Sequence, residues 1–171
     1  MLNTADKKSD SATIDNILKK INQGNAILFL GSGFSASAHG LNEETMPTAG
    51  ALAKKISELI PDFEPDDDLR YVTEYFLDST NDHKELIKLL RDTFTVKKVG
   101  THHKAIASAP WRRIYTTNYD LCYERAAEYN GKVVETVDLS SNPSDFSARN
   151  NLCVHLNGSL NSLHSESLNN T

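Results

Sequence analysis

The segment AILFLGSGFSASA, residues 26–38, constrains the fold more than any other feature of the chain. Five consecutive apolar residues, 26–30, are typical of a strand that is buried on both faces of a parallel sheet. The run ends at Gly31 and Gly33, which lack a Cβ and therefore allow a sharp turn and a close approach of the backbone to a ligand. A helix that begins there presents free N–H groups to a phosphate. A tight strand-to-helix turn without a ligand explains the same glycines, and this alternative stays open.

Strand-like and helical patterns alternate on both sides of a long helical block. Apolar residues recur at helical spacing in four segments between residues 47 and 109. Strand-like segments return at RRIYTTNYD, KVVETVD and LCVHLNGSL. Residues 1–12 are polar and predict a flexible tail, which leaves residues 13–171 as one domain. We therefore predict an α/β fold, with a Rossmann-like parallel sheet flanked by helices and an inserted helical module at about 47–109.

Composition restricts the function of such a domain. With 171 residues, of which 39% are hydrophobic, the chain is long enough for one domain with a core. A formal net charge of −5, without a stripe rich in Lys and Arg, argues against direct nucleic-acid binding. No apolar run reaches about 18 residues and no secretory leader is visible, so we expect no membrane span and a cytoplasmic location. The two cysteines, Cys122 and Cys153, cannot form a four-thiolate zinc site, and we expect them to be reduced core residues.

The GSGFSA segment satisfies the dinucleotide-binding pattern G-x-G-x-x-G/A, with Ala36 in the last place. In an ordinary dehydrogenase a second strand follows about 20 residues later and ends in an acidic residue that binds the ribose. Here that region reads TAGALAKKI, which predicts a helix with no strand after it. A simple hydride-transfer domain is therefore disfavoured.

Two polar clusters follow later strands. TTNYD, residues 116–120, lies at the carboxyl end of a strand, where open parallel sheets bind ligands. Helix capping by Asp120 and a turn at Asn118 are the alternative explanation. In CVHLNGSL, His155 and Asn157 lie two residues apart and are expected to project from the same face of a strand. We interpret the remaining histidines as surface or capping residues; they are His39, His83, His102, His103 and His164.

Together, and in this order, the three motifs resemble the sirtuin-like domain of prokaryotic antiphage defence proteins, which hydrolyses NAD. The resemblance spans about residues 14–163. It implies that Asn118 is the catalytic amide beside the nicotinamide ribose and that His155, with Asn157 as the alternative, accepts a proton as the catalytic base. The family places its histidine directly before the glycine, where this chain has Asn157. The residues implied to bind NAD are Gly31, Ser32, Gly33, Phe34, Ser35, Thr117, Asp120, Asn157 and Gly158.

The resemblance also implies an activity and its setting. We expect an NAD glycohydrolase that releases nicotinamide and ADP-ribose, depletes NAD during abortive infection and is inactive until it is triggered or assembled. A homo-oligomer is implied, as is a sensor or oligomerisation region beyond Thr171 or on a partner protein, because the family's sheet continues past that point. Deacetylating sirtuins carry a zinc ribbon with two cysteine pairs, so we expect no zinc and no cofactor beyond NAD as substrate. A non-catalytic module that binds or senses NAD or ADP-ribose is the alternative.

Overall fold

The computed structural model describes residues 4–79, 83–138, 140–142, 144, 146 and 149–163. Residues 1–3 of the expected tail and His164 lie outside these described residues. Within them the strands are β1 Ile27–Leu30, β2 Arg113–Thr116, β3 Glu135–Val137 and β4 Leu152–His155. The helices are α1 Thr4–Asn22, α2 Ser32–Ser35, α3 Ala49–Ser57, α4 Leu69–Ser79, α5 Lys84–Phe94, α6 Thr101–Ser108 and α7 Cys122–Glu128.

The described strands form one parallel sheet in the order β1-β2-β4-β3. Leu30 pairs with Thr116, and Thr116 pairs with His155, so β1, β2 and β4 end side by side. The chain runs from β1 to β2 through helices α2–α6 and from β2 to β3 through α7, which are the long connections that parallel strands require. The predicted α/β architecture with a Rossmann-like parallel sheet is confirmed.

The expectation that β1 is buried on both faces is wrong. Leu30 is buried, whereas the side chains of Ile27 and Phe29 are 59% and 62% exposed. Alternate residues of a strand point to opposite faces, so one face of β1 is covered and the other is open. The reason is that no described element packs over that face of β1.

The inserted helical module is present between β1 and β2. Helices α3, α4 and α5 share a hydrophobic cluster of their own, and Phe94 packs against both this cluster and the core beneath the sheet. Helix α3 ends at Ser57, earlier than the Pro61 boundary expected from the sequence. The buried members of the cluster are Leu52, Ala53, Ile56, Ile60, Val72, Phe76 and Leu86.

The main core lies between the sheet and helix α7. Ile114 and Cys153 are paired in neighbouring strands, and both belong to the cluster that includes Cys122 and Ala126 of α7. Both cysteines are buried free thiols, as expected of core residues. His155 is two residues after Cys153 in β4, so it projects from the sheet face that α7 covers.

The N-terminal region differs from the expected flexible tail, because helix α1 begins at Thr4. Residues 4–12 include alanine and lysine, which are good helix formers. Beyond them, Ile14, Ile17 and Leu18 are each about half exposed, so that side of α1 is not packed against the core. None of the helices among the described residues has the length and apolar character needed to cross a bilayer.

Candidate active site

The three sequence motifs meet at the carboxyl edge of the sheet. GSGFS follows β1, TTNYD follows β2 and HLNGS includes the end of β4. Backbone bonds connect the strand ends: Thr117 N donates to Leu30 O, and Leu156 N donates to Thr116 O. The structure thus brings the predicted site residues into one region, at the edge where parallel sheets bind ligands.

The glycine loop presents an open surface at this edge. Gly31 has an extended conformation and precedes α2, which is a single helical turn at Ser32–Ser35. Ser32 and Gly33 are exposed. A Cβ added to Gly31 or Gly33 would meet no atom within 4 Å, so the space in front of the loop is free for a ligand.

Phe34 anchors the loop to the core. Its ring is half-buried and packs edge-on against His103, with 4.9 Å between ring centroids. Gly100 N donates to His103 Nδ1, so the ring proton is on Nε2, which donates to Phe34 O at 2.6 Å. Burial lowers the pKa of His103, which favours this neutral form. His103 is fully buried, so the surface interpretation is wrong for it, although it does contribute to the capping of α6. His83 is also buried.

Asn118 is held on all sides except at its amide oxygen. Nδ2 donates to Gly31 O at 3.0 Å and to Ser35 Oγ at 2.9 Å, so both amide hydrogens are used. Because a carbonyl can only accept, the bond to Gly31 O fixes the orientation of the amide. Among the described residues, none donates to Oδ1. The side chain can therefore accept a hydrogen bond from a ligand hydroxyl or a water but cannot donate one without rearrangement.

Ser35 and Asp120 extend this network into the protein. Ser35 Oγ donates to Asp120 Oδ1 at 2.8 Å, and Cys122 N donates to the same oxygen at 3.0 Å. Burial raises the pKa of Asp120, while the bonds from Ser35 and Cys122 oppose that rise. Asp120 thus bonds the first residue of α7 and also orients Ser35. The N-cap position of α7 is Leu121, whereas the capping alternative expected Asp120. Both carboxylate contacts are made inside the protein and support the loop.

His155 does not lie in the open part of the site. Its side chain is buried, with Nδ1 2.8 Å from Asn118 O and Nε2 2.8 Å from Glu124 Oε1. Burial lowers the pKa of His155, but the hydrogen bond and charge of Glu124, together with the carbonyl of Asn118, outweigh that effect, so the pKa is raised. Both ring nitrogens are therefore engaged within the protein.

Asn157 is exposed, whereas the side chain of His155 is buried. Asn157 Nδ2 donates to Thr117 O at 3.2 Å. The expectation that both side chains project from one strand face is wrong, because β4 ends at His155 and the alternation of a strand does not continue through Leu156. Gly158 follows with a φ of +94°, a conformation that favours glycine.

Two acidic residues of this region were not predicted from the sequence. Glu124 is buried on α7 between Cys122 and Ala127, and a carboxylate among apolar helix neighbours is the signal that identifies it. Asp138 follows β3 and accepts a hydrogen bond from Ser159 Oγ at 2.8 Å. Burial would raise the pKa of Asp138, but hydroxyl donors at Ser140, Ser159 and Ser162 lower it to about 2.

Comparison with curated proteins identifies relatives that share one name. The chain is 31% identical over 134 residues to the NAD(+) hydrolase ThsA of Cytobacillus dafuensis, covering 78% of this chain and 25% of that protein. It is 30% identical over 123 residues to the protein of the same name from Acinetobacter baumannii (strain 532279), covering 71% and 24%. The corresponding protein of Bacillus cereus (strain MSX-D12) is 27% identical over 124 residues, which cover 71% of this chain and 25% of that protein.

No protein-family model matches the chain. The chain spans about a quarter of the length of the curated relatives. The resemblance that the three motifs indicate is confirmed, since over most of its length this chain is similar to part of the ThsA NAD(+) hydrolases.

Proposed function

We propose that this chain provides the NAD-cleaving site of an NAD+ hydrolase that acts as an NAD-depleting effector in antiphage defence. Water replaces nicotinamide at C1′ of the ribose, so that NAD+ and water give nicotinamide, ADP-ribose and a proton. The relatives named NAD(+) hydrolase support the activity. The observation that carries the assignment of the site is Asn118 Oδ1, an acceptor to which no described residue donates and which lies beside the open glycine loop.

The chemistry suits these residues. Nicotinamide leaves NAD+ as a neutral molecule from a cationic precursor, so the transition state resembles an oxocarbenium ion and no acid is needed to protonate the leaving group. Catalysis then consists of orienting the ribose and the water and stabilising the charge that develops. Asn118 Oδ1 accepts a hydrogen bond from a ribose hydroxyl or from the attacking water. The exposed backbone of Gly31, Ser32 and Gly33 binds the diphosphate through N–H groups and so positions the reacting carbon, whereas Phe34 N donates to Gly31 O.

The remaining residues predicted to bind NAD differ in how exposed they are at the open edge of the sheet. Ser32, Gly33 and Asn157 are exposed there, and Thr117 and Gly158 are partly exposed. Ser35 and Asp120 support the loop from behind. Catalytic proton transfer by His155 stays a prediction. Because its ring is buried, a role in holding other residues in place is favoured over contact with NAD.

We further propose, from the resemblance alone, that the protein is a cytoplasmic homo-oligomer and is inactive until a trigger is sensed outside these residues. The direct test is nicotinamide release from NAD+ by the full-length protein, with and without extract from phage-infected cells. Release that depends on the extract supports an activated effector. If NAD+ stays intact under both conditions, the hydrolase proposal is wrong.

A module that binds NAD or ADP-ribose without cleaving it is the second candidate. It is favoured by two observations: both ring nitrogens of His155 are engaged, and an amide occupies position 157. An amide does not exchange a proton near neutral pH. Calorimetry that detects tight NAD binding, together with no release of nicotinamide in the presence of the extract, would establish this module.

A further inference from the structure

We propose that Glu124 and His155 act as positioning residues that hold Asn118 in its reactive orientation. This inference rests on the proposed function, because it concerns the amide that we assign to the cleavage of NAD. The evidence is a continuous set of hydrogen bonds that begins in the core and ends at the backbone of Asn118. Neither residue is part of the open surface, since the His155 ring is 1% exposed and Glu124 is buried.

The positions of protons on His155 follow from its partners. Asn118 O can only accept, so Nδ1 carries a proton and donates to it at 2.8 Å. On the other side, Nε2 lies 2.8 Å from a carboxylate oxygen of Glu124, and a second proton on Nε2 is shared with that oxygen. The bond from Nδ1 to Asn118 O persists whether or not Nε2 carries this second proton.

Glu124 is fixed in turn by the sheet. Thr136 Oγ1 of β3 donates to Glu124 Oε1 at 3.1 Å. The second oxygen, Oε2, is buried and has no hydrogen-bond partner among the described residues. A buried carboxylate oxygen without a partner is costly, so the bond to His155 must compensate for the burial of Glu124. The pair thereby joins α7, β3 and β4 to the loop that follows β2.

The consequence is that three parts of Asn118 are restrained at once. Its N–H donates to Thr116 Oγ1 at 3.0 Å, its carbonyl accepts from His155, and its side-chain amide donates to Gly31 and Ser35. In the part of the chain that the structure describes, no group donates to Oδ1, so this atom is left for a ligand. If the restraint on the carbonyl is lost, the loop can shift, and a displacement of about 1 Å in a positioning group can reduce turnover about a hundredfold.

The kinetic test compares Glu124→Ala with Glu124→Gln in the full-length protein. The glutamine amide can donate to His155 Nε2 while Nδ1–H stays bonded to Asn118 O, so we expect kcat within a few-fold of wild type. Alanine leaves Nε2 without a partner, and we expect kcat to fall about ten- to a hundredfold with KM little changed. Leu86→Ala, in the helical module, is the matched control, because it lowers Tm far from the site and leaves kcat unchanged.

A second readout does not depend on activity. Long-range ¹H–¹⁵N spectra of the wild type should show a protonated Nδ1 on His155. The side-chain amide hydrogens of Asn118 should exchange slowly in the wild type and in Glu124→Gln, and faster in Glu124→Ala. An unprotonated Nδ1 in the wild type overturns the inference even when Glu124→Ala does not fold.

The outcomes separate this inference from the proposed function. If the wild type does not cleave NAD but the amide exchange changes as expected, the proposed function fails and the positioning role stands. If the wild type is active and Glu124→Ala retains its kcat, the positioning role fails. The ligand atoms of Glu124, Cys153 and His155 lie within 4.8 Å of one another. Stoichiometric zinc in the purified protein, lost in Glu124→Ala, would replace the shared proton by a metal and also overturn the inference.

Discussion

Replacement of Asn118 by alanine separates the chemical role of the amide from its structural role. The change removes the hydrogen bonds from Nδ2 to Gly31 O and Ser35 Oγ, each of which contributes about 0.5–1.5 kcal/mol net. We expect the free energy of unfolding to fall by about 1–3 kcal/mol. The lower end is favoured, because Gly31 is exposed and water can replace the lost donor. For a domain of this size the Tm falls by roughly 2–12 °C.

The effect on turnover is expected to be much larger than this loss of stability explains. Removal of one hydrogen bond to a developing charge typically costs about 100- to 1,000-fold in kcat, or about 2.7–4 kcal/mol of transition-state stabilisation. The assay is nicotinamide release at saturating NAD+, at a temperature where circular dichroism shows the variant to be fully folded. We expect kcat to fall by that factor and KM to change little.

Ser57→Ala is the matched control for this experiment. The Ser57 hydroxyl is buried in the helical module, donates to Ala53 O and accepts from Asp66 N, so the change also removes two hydrogen bonds. We expect a similar loss of stability and a wild-type kcat. An Asn118→Ala variant that retains kcat within a few-fold, or a Ser57→Ala variant that loses as much, would show that the amide has no role beyond structure.

Three further changes test other parts of the account. Gly33→Val should weaken NAD binding about tenfold or more without lowering Tm, because the new side chain enters the open space in front of the loop. Calorimetry on the folded variant measures the affinity. An unchanged affinity would show that the loop does not bind the diphosphate. The pKa of Asp138 is lowered to about 2 in the folded protein. The wild type should therefore have a larger free energy of unfolding than Asp138→Asn above about pH 4, and this difference should disappear as the pH falls towards 2. Urea unfolding of both proteins at several pH values measures the difference. Glu124 raises the pKa of His155 by more than burial lowers it. The stability gained from this pair is therefore complete below about pH 6.5, and it should decrease as the pH rises through the folded-state pKa of His155. A difference in unfolding free energy between wild type and Glu124→Gln that is independent of pH would contradict this.

Much of the fold was predictable because local patterns agree with the tertiary structure. Apolar runs that stop at polar or glycine residues identified β1, β2 and β4 and placed their ends together. Helical spacing identified the inserted module. The exposure of Ile27 and Phe29 was not predictable, since an apolar strand looks the same whether its outer face is covered or open. The helical start of α1 was missed because polar composition was interpreted as a tail.

The sequence motifs predicted which segments form the site, but not the contacts between their side chains. Asn118 and the glycine loop were found from their position after strands, and the structure brings them into contact. The pairing of His155 with Glu124, 31 residues apart, depends on which face of β4 meets α7, and no local pattern contains that information. The end of β4 at His155 separates that side chain from Asn157, whereas periodicity alone placed the two together.

We propose that NAD binds at the carboxyl edge of the sheet with its nicotinamide ribose beside Asn118. The most direct measurement is a crystal structure of the full-length protein with an NAD analogue whose ribose ring oxygen is replaced by carbon, which prevents cleavage. We predict a ribose hydroxyl or an ordered water about 2.5–3.0 Å from Asn118 Oδ1, with the diphosphate over residues 31–35. An analogue bound away from this edge, or one whose adenosine end faces Asn118, would contradict the account.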